Sequence, residues 1–465
     1  MLFNTIEFFG FFIVVLAAFY IAPKSWGKPI LLIASYYFYM CWNAKFILLL
    51  LVLTVIDYVS GLLIEAVQPQ RRKLALLMSL TANLGFLGFF KYYNFLASTV
   101  AFLLGKPQSS FFLTIVLPVG ISFHTFQSMS YVVDVYHGRQ KAIRNPMDYA
   151  LFIAFWPQLV AGPIVRARDF FRDLFNWQRP SPEEIQSGAL LVLLGLTKKM
   201  AFADQFAKVA DAYFKNVAAN PGMMTAWTGT IAFAMQIFFD FSGYTDIAIG
   251  CARLLGFHFP VNFARPYLAG SIQEFWRRWH ISLSLWLRDY LYIPLGGNRH
   301  GELKTYRNLL LTMLLGGLWH GASWNFVIWG AYHGLLLSLG KIVEKLGWKN
   351  KRRFTAQFYP LAGLMTFALV CVGWVFFRAA NLHDAIFVLK QMFAGSKGVG
   401  LLKNWHLWMI AVSFIAAVLE EKWEVFERMV TGYRWAFVCT IVVFLFWLEV
   451  FSVLDEKIPF IYFQF

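Results

Sequence analysis

Residues 273–298 read QEFWRRWHISLSLWLRDYLYIPLGGN, and residues 316–321 read GGLWHG. Taken as a helix, the first stretch puts Phe275, Trp279, Leu283, Trp286 and Tyr290 on one stripe, at i, i+4, i+8, i+11 and i+15. Arg277, Arg278, Ser284 and Arg288 fall largely elsewhere. Pro294 and the pair Gly296-Gly297 then break it. A basic amphipathic segment of this kind lies in a membrane interface or dips into it rather than crossing. The second stretch sets His320 between two apolar runs. An ionisable side chain is costly there, so its presence asks for a function.

Working outward, composition sets the class. Only 14% of the 465 residues are charged, against about 25% in a soluble globular protein, and 59% are hydrophobic. The chain therefore reads as an all-α polytopic membrane protein, a single integral membrane domain over 1–465 with no soluble domain, short-period repeat or low-complexity tail. Aromatic residues reach 19% and suit interfacial belts and a bulky intramembrane core. The net charge of +16 sits in short loops, which is positive-inside patterning and excludes a nucleic-acid-binding surface. Cys41, Cys251, Cys371 and Cys439 lie in or beside apolar runs without metal or disulfide spacing, so no metal is expected.

A bilayer core takes about 20 apolar residues per helix. Candidate spans are 6–22, 31–42, 46–64, 74–104 (interrupted by Lys91), 111–133, 187–203, 225–255, 322–339, 359–377, 405–419 and 435–451. The first is read as a span rather than a cleaved signal. This gives about 11 spans, with one to three re-entrant or interfacial helices besides. Residues 149–165, with Pro157, Gly162 and Pro163, look re-entrant, and 309–339 looks discontinuous around Gly316-Gly317 and Gly321. The basic loops at Lys24/Lys28, Arg71–Lys73 and 139–144, and the cluster 349–353, fall on one side if both termini are outside.

Chemistry concentrates where clean spans fail. His320 suits a general base, because imidazole titrates near working pH; the bland alternative is a buried histidine joining helices. His280 could orient or polarise a substrate, or be an interfacial histidine beside arginines. Asp240 and Asp246, in one apolar helix with Tyr244, read first as structural ion-pair partners, usually of Arg. Arg277, Arg278 and Arg288, with Trp279 among them, could hold the phosphates of a pantetheine or CoA donor, or snorkel to lipid headgroups. His333 reads as core or pore-lining. No dinucleotide, P-loop or GxSxG pattern is present.

The stretches FWRRWHISLSLWLRDYLYIPLGGNR (275–299) and GLWHGASWNFVIWG (317–330) closely resemble the membrane-bound O-acyltransferases. FWPQLVAGPIVR (155–166), FFDFSGYTDIAIG (238–250) and PFIYFQF (459–465) extend the resemblance over nearly the whole chain, and the last leans to the alginate-acetylating bacterial branch. The resemblance implies a ring of helices around a central funnel in the bacterial cytoplasmic membrane. It implies His320 as catalytic base assisted by His280, and acetyl-CoA as a donor that is not permanently bound. The acceptor would be an extracytoplasmic polysaccharide, reached through separate SGNH-hydrolase-like acetyltransferase subunits. Acyl transfer to teichoic acid, peptidoglycan or cellulose stays open within the family. A polysaccharide or lipid-linked sugar transporter is the alternative outside it.

Overall fold

Apolar runs without water to satisfy their backbone coil into helices, and the chain follows that rule. The computed structural model describes residues 1–159, 162–346, 352–419, 430, 432–453 and 458–461; among them there is no strand. Two compact units emerge, Met1–Val192 with Ile247–Pro260, and Leu193–Asp246 with Val261–Phe465.

The first unit holds α1 (Ile6–Ile21), α2 (Gly27–Met40), α3 (Phe46–Ala66), α4 (Pro69–Leu87), α5 (Tyr93–Leu103), α6 (Ile121–Tyr136), α7 (Pro146–Ala154), α8 (Trp156–Leu159), α9 (Ala167–Phe175) and most of α10 (Pro182–Leu196). Lys91 sits in a π-helical turn, Gly88–Tyr92, between α4 and α5, with its ammonium 3.2 Å from Ser122 Oγ. The expected 111–133 span is corrected: the helix starts only at Ile121, because Pro118 and a left-handed Gly120 (φ 73°) precede it. Helix α6 is almost wholly buried, polar side chains included. Residues 149–159 fall in two short buried helices, α7 and α8, and Gln127 Nε2 donates to the Phe152 carbonyl at 2.7 Å. Residues 160 and 161 of the FWPQLVAGPIVR motif lie outside the described residues. Asp57, in α3, is buried and accepts from Ser79 Oγ at 2.6 Å and Asn83 Nδ2 at 2.8 Å.

The second unit continues with α11 (Asp204–Lys215), α12 (Met223–Leu254, its end in the first unit), α13 (Ile272–Arg278), α14 (Ile281–Leu287), α15 (Glu302–His320), α16 (Trp324–Lys345), α17 (Arg352–Arg378), α18 (Leu382–Met392), α19 (Asn404–Leu419) and α20 (Arg434–Phe451). Six helices among the described residues are long and apolar enough to cross a membrane: Phe46–Ala66, Gln70–Leu103, Pro182–Lys215, Trp324–Lys345, Pro360–Arg378 and Arg434–Phe451. Ile6–Ile21 and Asn404–Val418 are apolar but shorter. Helix α12 has the length, 32 residues, but its polar side chains dilute it.

Those polar side chains are paired, though with lysines rather than the arginines expected. A π-helical stretch, Thr197–Ala203, joins α10 to α11 and carries both partners. Lys198 Nζ lies 2.7 Å from Asp246 Oδ2. Lys199 Nζ lies 2.7 Å from Asp204 Oδ1 and 3.0 Å from Asp240 Oδ1, all three side chains buried. Asp240 also accepts the Ile461 N–H at 2.6 Å, which ties the terminal segment to α12. Residues 462–465 of the terminal motif, and 349–351 of the basic cluster, lie outside the described residues.

Removing one member of such a cluster leaves a buried charge uncompensated, at a cost of about 3–5 kcal/mol. Lys199→Met should therefore lower the melting temperature of the detergent-purified protein sharply, and Lys199→Met/Asp204→Asn/Asp240→Asn should recover most of the loss. A single variant that melts like wild type would show the cluster to be incidental.

Candidate functional site

The break between α13 and α14 builds the first half of the site, and it corrects the continuous helix expected over 273–298. Helix α13 opens on Ser271, whose Oγ accepts the Glu274 N–H at 3.2 Å, while Glu274 Oε2 accepts the Gly270 N–H at 2.8 Å. This is the Ser-x-x-Glu start signal, with the acidic side chain folded back on the helix entry. The helix ends at Arg278. Trp279 is extended, and His280 takes a left-handed conformation, φ 43° and ψ 57°, before α14 begins. The predicted stripe still faces inward on both pieces: Phe275, Trp279, Leu283 and Trp286 are all buried.

Asn262 holds the break. Its carbonyl accepts the Ile281 N–H at 2.9 Å. Its Oδ1 accepts the Ser282 N–H at 3.0 Å and Ser282 Oγ–H at 2.9 Å, and lies 3.3 Å from His280 Nδ1. A backbone N–H can only donate, so this side-chain atom must be the oxygen. His280 Nδ1 must then carry the proton, which makes Nε2 the accepting nitrogen. His280 is outside the spanning helices, and full burial pushes its pKa down to about 3, so the ring is neutral at working pH. In this geometry it can accept a hydrogen bond at Nε2. Polarising a carbonyl through Nδ1 would require breaking the Asn262 contact.

The second half is the α15–α16 hairpin. Helix α15 runs unbroken through Gly316-Gly317, and the expected discontinuity falls at Gly321 instead, where the chain turns at 321–323. The glycines instead let the two helices touch. A Cβ on Gly317 would overlap the Phe326 carbonyl, and one on Gly330 the Met313 carbonyl. His320 is thus the last residue of α15, where the helix carbonyls favour a cation. Its ring lies against Trp319 (5.0 Å between centroids), Trp329 (5.1 Å) and Phe377 (5.2 Å), and it is 5% exposed.

Trp319 joins the halves, 6.1 Å from the His280 ring on one side and 5.0 Å from His320 on the other. The structure therefore brings the two predicted histidines to one indole. It adds a third. His333 packs 4.9 Å from Trp329 and 5.2 Å from Trp276, with its Nδ1 buried and lacking a hydrogen-bond partner among the described residues. A Cβ on Gly373 would stand 2.8 Å from His333 Nε2, so a glycine is needed opposite it.

The donor-binding candidates separate. Trp279 is a core ring, 1% exposed, packed on Phe263 (5.1 Å) and Trp374 (5.0 Å). Arg278 is tied to Glu274 at 2.5 Å, and Arg288 to Asp289 at 2.6 Å. Arg277 is exposed. Asp240 and Asp246 form ion pairs with Lys199 and Lys198. Among the described residues, no three His, Cys, Asp or Glu side chains gather as metal ligands. Sequence reasoning missed Asn262, whose only signal was a polar residue 18 positions before a histidine.

The profile of the membrane-bound O-acyltransferase family matches residues 31–383. The chain belongs to that family of membrane-bound acyltransferases. It is a multi-pass membrane protein. It is 44% identical over 395 residues to the probable alginate O-acetylase AlgI of Pseudomonas syringae pv. tomato, covering 84% of this chain and 74% of that one. It is 40% identical over 445 residues to the peptidoglycan O-acetyltransferase of Helicobacter pylori, covering 90% and 82%. To the teichoic acid D-alanyltransferase of Bacillus subtilis it is 30% identical over 284 residues, covering 57% and 69%.

A left-handed backbone at a residue other than glycine costs about 1–3 kcal/mol, and asparagine tolerates it far better than a β-branched residue. His280→Asn should therefore fold and melt close to wild type, whereas His280→Val should lose about that much stability. Comparable melting curves for the two would mean that the α13–α14 break does not need the left-handed residue.

Proposed function

We propose that the chain is a membrane O-acetyltransferase component. It moves acetyl groups from acetyl-CoA, on the cytoplasmic side, to an extracytoplasmic polysaccharide of the alginate kind. The observation that carries this is the pair of histidines on either side of Trp319, one ending α15 and one capping α14, in a chain similar over most of its length to alginate O-acetylases. His320 takes the proton of the acceptor hydroxyl as the oxygen attacks the thioester carbonyl. The C–S bond then breaks, and the departing thiolate recovers that proton from the imidazolium. The helix terminus stabilises the cation in between. His280 assists as a neutral ring held by Asn262. Arg277 is exposed and available to the donor phosphates, whereas Arg278 and Arg288 are held in carboxylate pairs.

The positive-inside pattern supports a bacterial cytoplasmic membrane orientation with both termini outside. Delivery onto the polymer would fall to SGNH-like acetyltransferase subunits, since this chain carries no serine-nucleophile elbow. Acyl transfer to teichoic acid is the weaker reading: that relative is less similar and matches 57% of the chain, against 84% for the alginate relative.

Loss of a general base costs typically about 10²–10⁴-fold. His320→Ala, at membrane levels matched to wild type, should reduce base-labile acetate on the exported polymer by about 10²-fold or more, with the polymer still secreted. Unchanged acetate would remove His320 from the mechanism. Loss of the polymer itself would favour transport over acylation.

A further inference from the structure

A cavity of about 320 Å³ opens within the first unit, between the end of α1, the start of α2 and the segment that follows α9. Its size falls in the ~300–1,000 Å³ range of small-molecule sites. Lys24, Lys28 and Arg179 line it together with Tyr20, Phe175 and Trp177, and no acidic residue does. Two of the aromatic walls are fixed to the backbone at the end of α12. The Tyr20 hydroxyl donates to the Leu254 carbonyl, and Trp177 Nε1–H donates to the Leu255 carbonyl at 2.8 Å. Phe19 packs edge-on against Trp177 at 5.2 Å. Gly256 admits the indole: its φ is 83°, and a Cβ there would stand 2.6 Å from Trp177 Nε1.

The three cations differ in their commitments. Lys28 is tied to the buried Asp148 at 2.7 Å and lies 5.3 Å over the Phe175 ring. Lys24 and Arg179 are exposed and have no carboxylate partner among the described residues; Arg179 lies 5.1 Å over the Tyr20 ring. The acidic side chains of the surrounding segment are taken. Asp173 pairs with Arg172 at 3.0 Å, and Glu184 accepts the Ser181 N–H at 2.7 Å and lies 3.0 Å from His258 Nε2. Glu183 is exposed and outside the lining. The cavity thus presents two uncompensated positive charges above aromatic walls, a setting that favours an anion.

An apolar strip leads to its rim. Ile13, Val14, Ala17, Ala18 and Ile21 are all exposed along one face of α1, at helical spacing. From residue 13 to residue 21 that face runs for about 12 Å and ends beside Tyr20 and Ala22, which line the cavity. Trp26 and Phe175, 60% and 55% exposed, flank it in the manner of interfacial aromatics. Under the orientation proposed above, the Lys24/Lys28 loop is cytoplasmic. Basic pockets between helices on that side are suited to anionic headgroups.

We infer that this cavity holds the headgroup of an anionic phospholipid. Lys24 and Arg179 meet its phosphodiester, the glycerol lies against the aromatic walls, and an acyl chain runs along the exposed face of α1. A soluble phosphate compound would satisfy the two cations and leave the apolar strip unused. The site uses neither histidine and stands apart from the acetyltransferase reading; the orientation decides only which leaflet supplies the lipid.

The test is binding of radiolabelled phosphatidylglycerol to the purified full chain in neutral detergent micelles. Phosphatidylcholine serves as the uncharged comparison. Glycerophosphoglycerol, which has the same headgroup without acyl chains, and coenzyme A serve as soluble competitors. Phosphatidylglycerol should bind in preference to phosphatidylcholine, and added salt should weaken it. Lys24→Gln/Arg179→Gln should reduce its affinity by about tenfold or more, and Ile21→Ser should reduce it less. Melting temperatures near wild type in lipid-free micelles would establish that these variants are folded. His320→Ala should bind the lipid as wild type does. Equal binding of phosphatidylcholine by the wild-type chain, or unchanged affinity in the double variant, would overturn the inference. Displacement by glycerophosphoglycerol or coenzyme A at concentrations matching the lipid would also overturn it and give the cavity to a soluble phosphate.

Discussion

The close seam between α15 and α16 is the contact on which the rest of the site depends. Gly317 and Gly330 face the carbonyls of Phe326 and Met313 with no room for a methyl group, and Gly334 lies against Leu310. Without a water-driven hydrophobic effect between helices in lipid, such small-residue faces give the packing that holds helices together. The consequence is local and chemical. Because the helices touch, Trp329 on α16 reaches the His320 ring on α15 and the His333 ring on its own helix. Each aromatic pair contributes about 0.5–1.5 kcal/mol beyond its buried area, so the cage around His320 is rigid before any substrate arrives.

A second constraint is that polar groups in an apolar interior must find partners inside the protein. The second unit meets it with ion pairs in the π-helical segment Thr197–Ala203. The altered helix phase there presents Lys198 and Lys199, adjacent in sequence, to Asp246 and Asp240, six residues apart on α12. Close approach of α10 to α12 makes this possible, since a Cβ on Gly243 would stand 2.7 Å from the Gly195 carbonyl. Asp240 then serves two masters, Lys199 and the Ile461 N–H. Phe460, beside that link, stacks on Tyr244 at 4.2 Å. The polar residues of α12 thus organise the unit's frame.

Much of this was legible in the sequence, and the failures have common causes. Apolar runs located the long helices, and the inward stripe Phe275–Trp279–Leu283–Trp286 was right although its helix was not continuous. Periodicity reports which face is buried. It cannot see that a histidine adopts φ 43°, because that conformation is imposed by Asn262, a residue distant in sequence. Gly316-Gly317 misled in the opposite sense. Glycine pairs punctuate soluble helices, but at a close helix crossing they mark contact rather than termination, and the sequence alone does not separate the two. The same limit explains His333. Its place beside Trp329 and opposite Gly373 is a property of three helices, of which the sequence shows only one at a time.

The two histidines differ in a way that assigns them different work. His320 ends a helix, where positive charge is favoured, which suits the proton-holding role proposed for it. His280 caps the start of α14, where positive charge is disfavoured, and it is wholly enclosed by Phe241, Phe263 and Trp319. Burial keeps it neutral, and Asn262 fixes its tautomer. A ring in that state orders its neighbours through one accepting nitrogen and exchanges no proton near neutral pH. The asymmetry follows from which end of a helix each residue occupies, a feature set by the two backbone breaks at Trp279-His280 and at 321–323. The breaks that stop this region from being clean transmembrane helix are what give the two imidazoles distinct chemistry.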